Sequence, residues 1–171
     1  MLDVIAKRRS CRSYSDTPVE EYKIKEIVNA GLNAPSGMNR QTPVILAISN
    51  KEIRDKLSRI NCSIMNRGEM DPFYNAPVIL LVIANKNGLS VHDGAAAIEN
   101  MLLEATHQGL ACCWIHRAEE ELKNEEFRKL FSFLEINFDD YVGIGHVIVG
   151  YPSKDATVRD KVINDNRAFY I

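Results

Sequence analysis

The sequence predicts an α+β layer structure, and three observations carry that prediction. Four apolar runs of strand length recur along the chain. About five segments between them place apolar residues at helical spacing. No linker, internal repeat or low-complexity segment divides the 171 residues. One domain over residues 1–171 is therefore expected, and hydrophobic residues at 46 % supply enough apolar material for its core.

Leu2, Ile5 and Ala6 sit at helical spacing and predict a short opening helix, which runs into Lys7-Arg8-Arg9-Ser10-Cys11-Arg12. Thr17, Pro18 and Glu20 have the spacing of a helix cap, a first-turn proline and a capping box. The helix they introduce carries Ile24, Ile27, Val28 and Leu32 on one side; Gly31 and Asn33 weaken it and Pro35 stops it. Residues 33–43 are rich in turn formers and read as a loop. A buried strand is expected at 44–49, a short helix at 51–60 with Ile53, Leu57 and Ile60 on one face, and loop or irregular helix at 61–76. Residues 77–84 form the clearest strand, and their unbroken apolar run predicts burial on both faces. Ser90 and Asp93 are candidate caps for a longer helix reaching about His107, whose alanines permit close approach and which Gly109 ends. A third strand follows at 110–115, an amphipathic helix at 118–134 and a fourth strand at 142–150. The last twenty residues are polar and irregular, then end in Ala-Phe-Tyr-Ile, a cluster that needs a surface to bury it.

Composition excludes several functions. The net charge of -2, the lack of aromatics interleaved with the basic residues and the single short basic cluster argue against a nucleic-acid-binding module. Cys11, Cys62, Cys112 and Cys113 form no CxxC pair and suit neither a zinc site nor a disulfide framework; in an extended segment Cys112 and Cys113 point to opposite faces. No signal peptide or membrane-spanning run is seen, so a cytoplasmic protein with reduced thiols and no membrane partner is expected.

Four segments are candidate sites. Arg8, Arg9, Ser10 and Arg12 offer planar forks of donors matched to a phosphate, although such a run is also common as a solvated basic turn. Pro35, Ser36, Asn39 and Gln41 lie in the turn-rich loop, where the two amides can read the carbonyl and imino edge of a flat heterocycle; a plain connecting loop has the same composition. Trp114 and Ile115 close a core strand whose end can bring a backbone N–H or an apolar side chain against a ring. Gly143-Ile144-Gly145-His146 superficially resembles a dinucleotide loop, but a strand continues after it where a helix is required. The histidines are scattered, which argues against a metal site.

Singly these signals are modest; their order is specific. The chain resembles the nitroreductase family of FMN-dependent oxidoreductases from end to end. Arg8-Arg9-Ser10-Cys11-Arg12-Ser13-Tyr14 resembles the family's opening signature. Ala34-Pro35-Ser36-Gly37-Met38-Asn39-Arg40-Gln41-Thr42-Pro43 resembles its second motif, with Thr42 inserted and Val44 in place of the common tryptophan. Asn75-Ala76-Pro77 resembles the entry to its central strand, residues 93–110 its central helix, and Gly150-Tyr151-Pro152 its Gly-Tyr-Pro. His116 stands where larger members carry Glu-Gly, and the chain is short for the family.

The resemblance implies a mixed sheet, a homodimer with FMN at its interface and a C-terminal arm exchanged between subunits. Arg8, Arg9 and a C-terminal basic residue, Arg159 or Lys161, would anchor the FMN phosphate. Ser10 and Arg12 would face the pyrimidine edge, where positive charge raises the reduction potential. Asn39, and Gln41 from the partner subunit, would bond ring or ribityl oxygens, and the backbone around Ile115 and His116 would lie near the reactive nitrogen. The implied reaction is a ping-pong transfer of hydride from NADH or NADPH to an acceptor such as a nitroaromatic or quinone, with no protein nucleophile. A non-catalytic flavin sensor, or dehalogenation or dehydrogenation on the same scaffold, are the alternatives.

Overall fold

The structure, a computed structural model, describes every residue except Arg67, Glu69 and Asn87. Its spine is β2 (Val78–Asn85), a run of β-branched and aliphatic residues that is buried from Val78 to Ala84. It pairs on one side with β1 (Pro43–Ile48) and on the other with β4 (Tyr141–Gly150), and β4 pairs with β3 (Ala111–Ile115), giving the order β1-β2-β4-β3. All three pairings are antiparallel. The sheet is therefore antiparallel rather than the mixed one expected; the parallel bridge from Ser10 to Cys112 is isolated and lies outside its strands. The α+β architecture expected from the sequence is thus present.

Both faces of β2 are covered, which is why its sequence shows no alternation. Leu80, Val82 and Ala84 face α2 (Glu21–Leu32) and α4 (Ser90–His107), meeting Ile27, Ile98 and Met101. Ile79, Leu81 and Ile83 face α3 (Lys51–Met65), α5 (Ala118–Leu122) and α6 (Glu125–Leu130), meeting Leu57, Leu122 and Phe127. Cys112 and Cys113 fall on opposite faces, as an extended segment requires. A short α1 (Asp3–Lys7) packs on α4. Gly31, read from the sequence as a weak point of α2, is where that helix meets its neighbours: a Cβ there would lie 2.8 Å from both Ile45 Cδ1 and Met101 Cγ.

Several boundaries differ from expectation. Helix α2 begins at Glu21 with Glu20 at its N-cap and no side-chain cap, so Thr17 and Pro18 lie outside it. The Glu20 carboxylate instead accepts the Tyr151 hydroxyl at 2.8 Å, and that tertiary bond displaces the local capping box. Ser90 and Asp93 are not caps either: both are buried, and Ser90 donates its hydroxyl to the Asn85 carbonyl. Strand β1 is only partly buried, because it is the edge strand. Helix α3 runs five residues past the predicted end at residue 60, to Met65. Within the segment 61–76, Arg67 and Glu69 lie outside the described residues. The single helix expected at 118–134 is broken after Leu122, because Asn124 Oδ1 accepts the amides of Glu126 and Phe127 at 2.9 and 3.2 Å and starts a second helix. After Gly150 the chain has no helix or strand, and among the described residues no helix is long and apolar enough to cross a membrane.

Candidate functional site

Two loops at opposite edges of the sheet hold the candidate residues. The first is the basic segment that follows α1. Ser10 bridges Cys112 on the free edge of β3, and the Cys11 amide donates to the Cys112 carbonyl at 2.9 Å. The segment then pairs with the chain leaving β4: Ser15 N–H donates to the Tyr151 carbonyl at 2.9 Å, Ser153 N–H to the Ser13 carbonyl at 3.2 Å, and the hydroxyls of Ser13 and Ser153 lie 2.8 Å apart. Tyr14 locks the turn from beneath by donating its buried hydroxyl to the Cys11 carbonyl at 2.8 Å, and burial pushes that hydroxyl's pKa up.

This pairing carries the C-terminal segment back over the basic one. Arg8, Arg9, Ser10, Arg12, Arg159 and Lys161, all singled out from sequence, line one cavity of about 520 Å³ together with Thr157 and Asp160. Five cations thus share one space with one carboxylate. None of the five has a carboxylate partner among the described residues, although Arg9 is steadied by donating to the carbonyls of Ala6 at 2.6 Å and Arg8 at 2.9 Å. Uncompensated guanidinium groups in a concave site suit a dianionic phosphate. The thiols beneath are poor nucleophiles: burial pushes Cys112 up to about 11 and raises Cys113 as well.

The second cluster is the loop before β1. Three non-glycine residues, Met38, Asn39 and Gln41, have left-handed backbones with φ of 55°, 53° and 50°. Each such residue costs on the order of 1 kcal/mol and persists only where its surroundings impose it. The imposition is visible. Asp93, buried in the first turn of α4, accepts the Gly37 amide at 2.9 Å and the Thr42 hydroxyl at 3.2 Å. Ser36 Oγ accepts the Gln41 amide at 2.9 Å, and Gln41 Nε2 donates to Asn39 Oδ1 at 3.1 Å. A Cβ on Gly37 would lie 2.1 Å from Leu89 Cδ1, so any side chain there would displace that of Leu89. The result is an exposed pair of amides, with the Asn39 nitrogen and the Gln41 oxygen left without a partner among the described residues. One donor beside one acceptor matches the edge of a flat heterocycle. Pro35, also singled out, is exposed at the base of this loop.

Trp114 and Ile115 sit at the end of β3. The Trp114 ring packs on the backbone of β4, where a Cβ on Gly145 would lie 2.3 Å from its Nε1, and it stacks on His116 with centroids 6.3 Å apart. Its Nε1 is buried without a hydrogen-bond partner among the described residues. Ile115 faces the other way, into the core.

The basic cavity borders β3 and the amide loop leads into β1, so three strand spacings, roughly 14 Å, separate the two clusters in one chain. Two groups of residues were missed from sequence. Asp93 has the position of a helix cap and is instead the anchor of the loop. Asn61, Glu121 and His146 form a fully buried polar network below the end of β3. Its one sequence signal is a histidine inside the apolar run of β4, which requires a polar partner.

Fold and site together define an α+β protein with an anion cavity at one sheet edge and a strained amide loop at the other. The sequence profile of the Nitroreductase family matches residues 5–151, and the chain belongs to that family. A protein of Archaeoglobus fulgidus named for NADH dehydrogenase/NAD(P)H nitroreductase activity is 30 % identical over 97 % of this chain and 94 % of its own. An FMN reductase [NAD(P)H] of Bacillus subtilis is 30 % identical over 69 % of this chain, which spans 49 % of that longer protein. Among solved structures, a nitroreductase with bound FMN from Bacteroides fragilis is 27 % identical, with a TM-score of 0.90 over the whole of both chains.

Proposed function

We propose that this chain is an FMN-dependent oxidoreductase that takes hydride from NADH or NADPH, and that it works as a homodimer of one-domain subunits in the cytoplasm. The observation that carries the reading is the cavity of about 520 Å³ that Arg8, Arg9, Arg12, Arg159 and Lys161 line together with Ser10. Family membership and the FMN-bound Bacteroides fragilis relative support the choice of FMN as the anion. The four free cysteines accord with a reducing compartment.

Arg8 and Arg9, with Arg159 or Lys161, hold the cofactor's phosphate. Ser10 and Arg12 address the pyrimidine edge, and the positive charge of Arg12 there favours the electron-rich form. Asn39 and Gln41 of a second copy supply the amide donor and acceptor to ring or ribityl oxygens, which explains why one chain keeps the two clusters at opposite edges of its sheet. FMN, when bound, would supply the redox chemistry, a ping-pong exchange of hydride between the nicotinamide and an acceptor such as a nitroaromatic or a quinone. The protein's contribution is binding, orientation and charge, and no side chain is needed as a nucleophile.

The visible absorption spectrum of the purified protein, before and after anaerobic addition of NADH and then NADPH, tests this. A bound-flavin spectrum that a nicotinamide bleaches is expected. A colourless protein that fails to take up added FMN would overturn the cofactor assignment, and a flavin that neither nicotinamide bleaches would overturn the reductase activity.

A further inference from the structure

Three consecutive residues, from Ile115 at the end of β3 to Arg117, are held from below by buried polar side chains. Asn61 on α3 donates to the His116 carbonyl at 3.2 Å and to Glu121 Oε1 at 2.6 Å, and accepts from Arg117 Nε at 3.0 Å. Glu121 Oε2 lies 2.7 Å from His146 Nε2, and His146 Nδ1 lies 3.4 Å from the Ile115 carbonyl oxygen. Asn61, Glu121 and His146 are all fully buried, and Phe73 closes the network edge-on to the His146 ring at 5.1 Å. Arg117 is half-buried with φ of +80°, a backbone normally left to glycine.

Such a network is costly. Apolar residues of similar volume would hold α5 and α3 on the sheet at least as firmly as a buried ionisable pair does. They would not fix two successive carbonyls and a left-handed arginine. Above the turn, the exposed His116 ring lies on Trp114.

We infer that Asn61, Glu121 and His146 are positioning residues for the reaction: they fix residues 115–117, and with them Trp114 and His116, in the geometry that hydride transfer requires. The inference rests on the FMN reading proposed above and on the family resemblance, which implies that the backbone around Ile115 and His116 lies near the reactive nitrogen. None of the three touches the cofactor; they act through the backbone of the turn.

The test compares FMN-loaded wild-type protein with Glu121→Leu and Glu121→Gln. Trp114 is the chain's one tryptophan, so its quenching by acrylamide reports a single site, the end of β3 on which the His116 ring lies. Glu121→Leu is expected to raise that quenching about two-fold and to slow flavin bleaching at saturating nicotinamide about ten-fold, while FMN affinity stays within about two-fold. Glu121→Gln retains an acceptor for Asn61 and a partner for His146, and is expected to restore both values. If Glu121→Leu does not fold, Asn61→Ser, too short to reach His116 and Glu121, is read in the same way. Unchanged quenching in a folded variant overturns the inference, as does increased quenching with an unchanged bleaching rate. If the wild-type protein takes up no FMN, the cofactor reading falls, and the Trp114 comparison still decides whether the network pins the turn.

Discussion

The carboxylate of Asp93, buried in the first turn of α4, accepts the backbone N–H of Gly37 at 2.9 Å. Its second oxygen accepts the Thr42 hydroxyl at 3.2 Å, so one side chain clamps both ends of a loop containing three left-handed residues. Asp93→Ala leaves both donors unpaired and releases the loop. The expected cost is about 1–3 kcal/mol in urea denaturation, with FMN affinity about ten-fold weaker by fluorescence titration. Asp93→Asn retains one acceptor and should fall between the two. Wild-type stability and FMN affinity in Asp93→Ala would show that the loop holds its shape unaided.

The basic cavity predicts a difference between two ligands. Arg8→Ala and Arg159→Ala each remove a cation from a space shared by five. Each should weaken FMN about 10-fold or more, in line with a lost charge-assisted hydrogen bond of about 1.5–3 kcal/mol. Riboflavin has the same ring and no phosphate, so its affinity should not change. Raising the salt concentration should narrow the gap between wild type and variants. Equal losses for both ligands would place these arginines away from the phosphate.

Asp71 predicts an acid limb of stability. Burial pulls its carboxyl upward, but hydrogen bonds from Ser58 and Arg54 and from the amides of Phe73 and Asn75 outweigh that, holding it below the ordinary 3.8. The Ser58 bond is 2.6 Å, the amide bonds are 2.9 and 2.6 Å, and the Arg54 guanidinium is itself buried. A carboxyl depressed by folding contributes stability above its unfolded value and loses it as pH falls through the lower folded value. Asp71→Asn removes one of the two carboxylates beside buried Arg54, which keeps Asp55 at 3.2 Å and the Ala76 carbonyl at 3.0 Å, and should cost about 1–3 kcal/mol at pH 7. The difference in melting temperature between wild type and variant should shrink below about pH 4. A constant difference from pH 7 to 3 would exclude this linkage.

What sequence conveyed and what it hid follow from the range of the forces involved. Strand β2 was readable because burial on both faces leaves a continuous apolar run in a single segment. The family resemblance joined Arg8 and Arg9 to Arg159 or Lys161, but residue patterns alone displayed only the first cluster, because the pairing of residues 13–15 with 151–153 that unites them is a tertiary event. The capping signals at Thr17, Ser90 and Asp93 misled for one reason. Each side chain had a local use that the sequence displays. Asp93 was claimed by distant partners, Ser90 by the Asn85 carbonyl five residues before it, and Thr17 was left outside when Glu20 turned to Tyr151. The strain at Met38, Asn39 and Gln41 had no sequence signal, because none of them is glycine. The network of Asn61, Glu121 and His146 joins residues up to 85 positions apart, beyond any local pattern.

The C-terminal tail predicts the assembly. Phe169 and Tyr170 are 81 % and 97 % exposed, and Val162 and Ile163 are exposed as well. Burying each of the last three side chains would gain about 1.5–3 kcal/mol, so a second copy that covers them gains several such terms at once. Deleting residues 160–171 should shift the protein from dimer towards monomer in size-exclusion chromatography and weaken flavin binding together. That deletion also removes Lys161 from the basic cavity, so flavin loss alone would not identify the arm. Replacing Phe169, Tyr170 and Ile171 with serine keeps every cation in place. If the arm packs on a partner whose amide loop completes the site, this triple variant should lose dimer and flavin in parallel as it is diluted. A fully dimeric, yellow triple variant would show that the tail has no part in assembly and that the two clusters are joined by other surfaces.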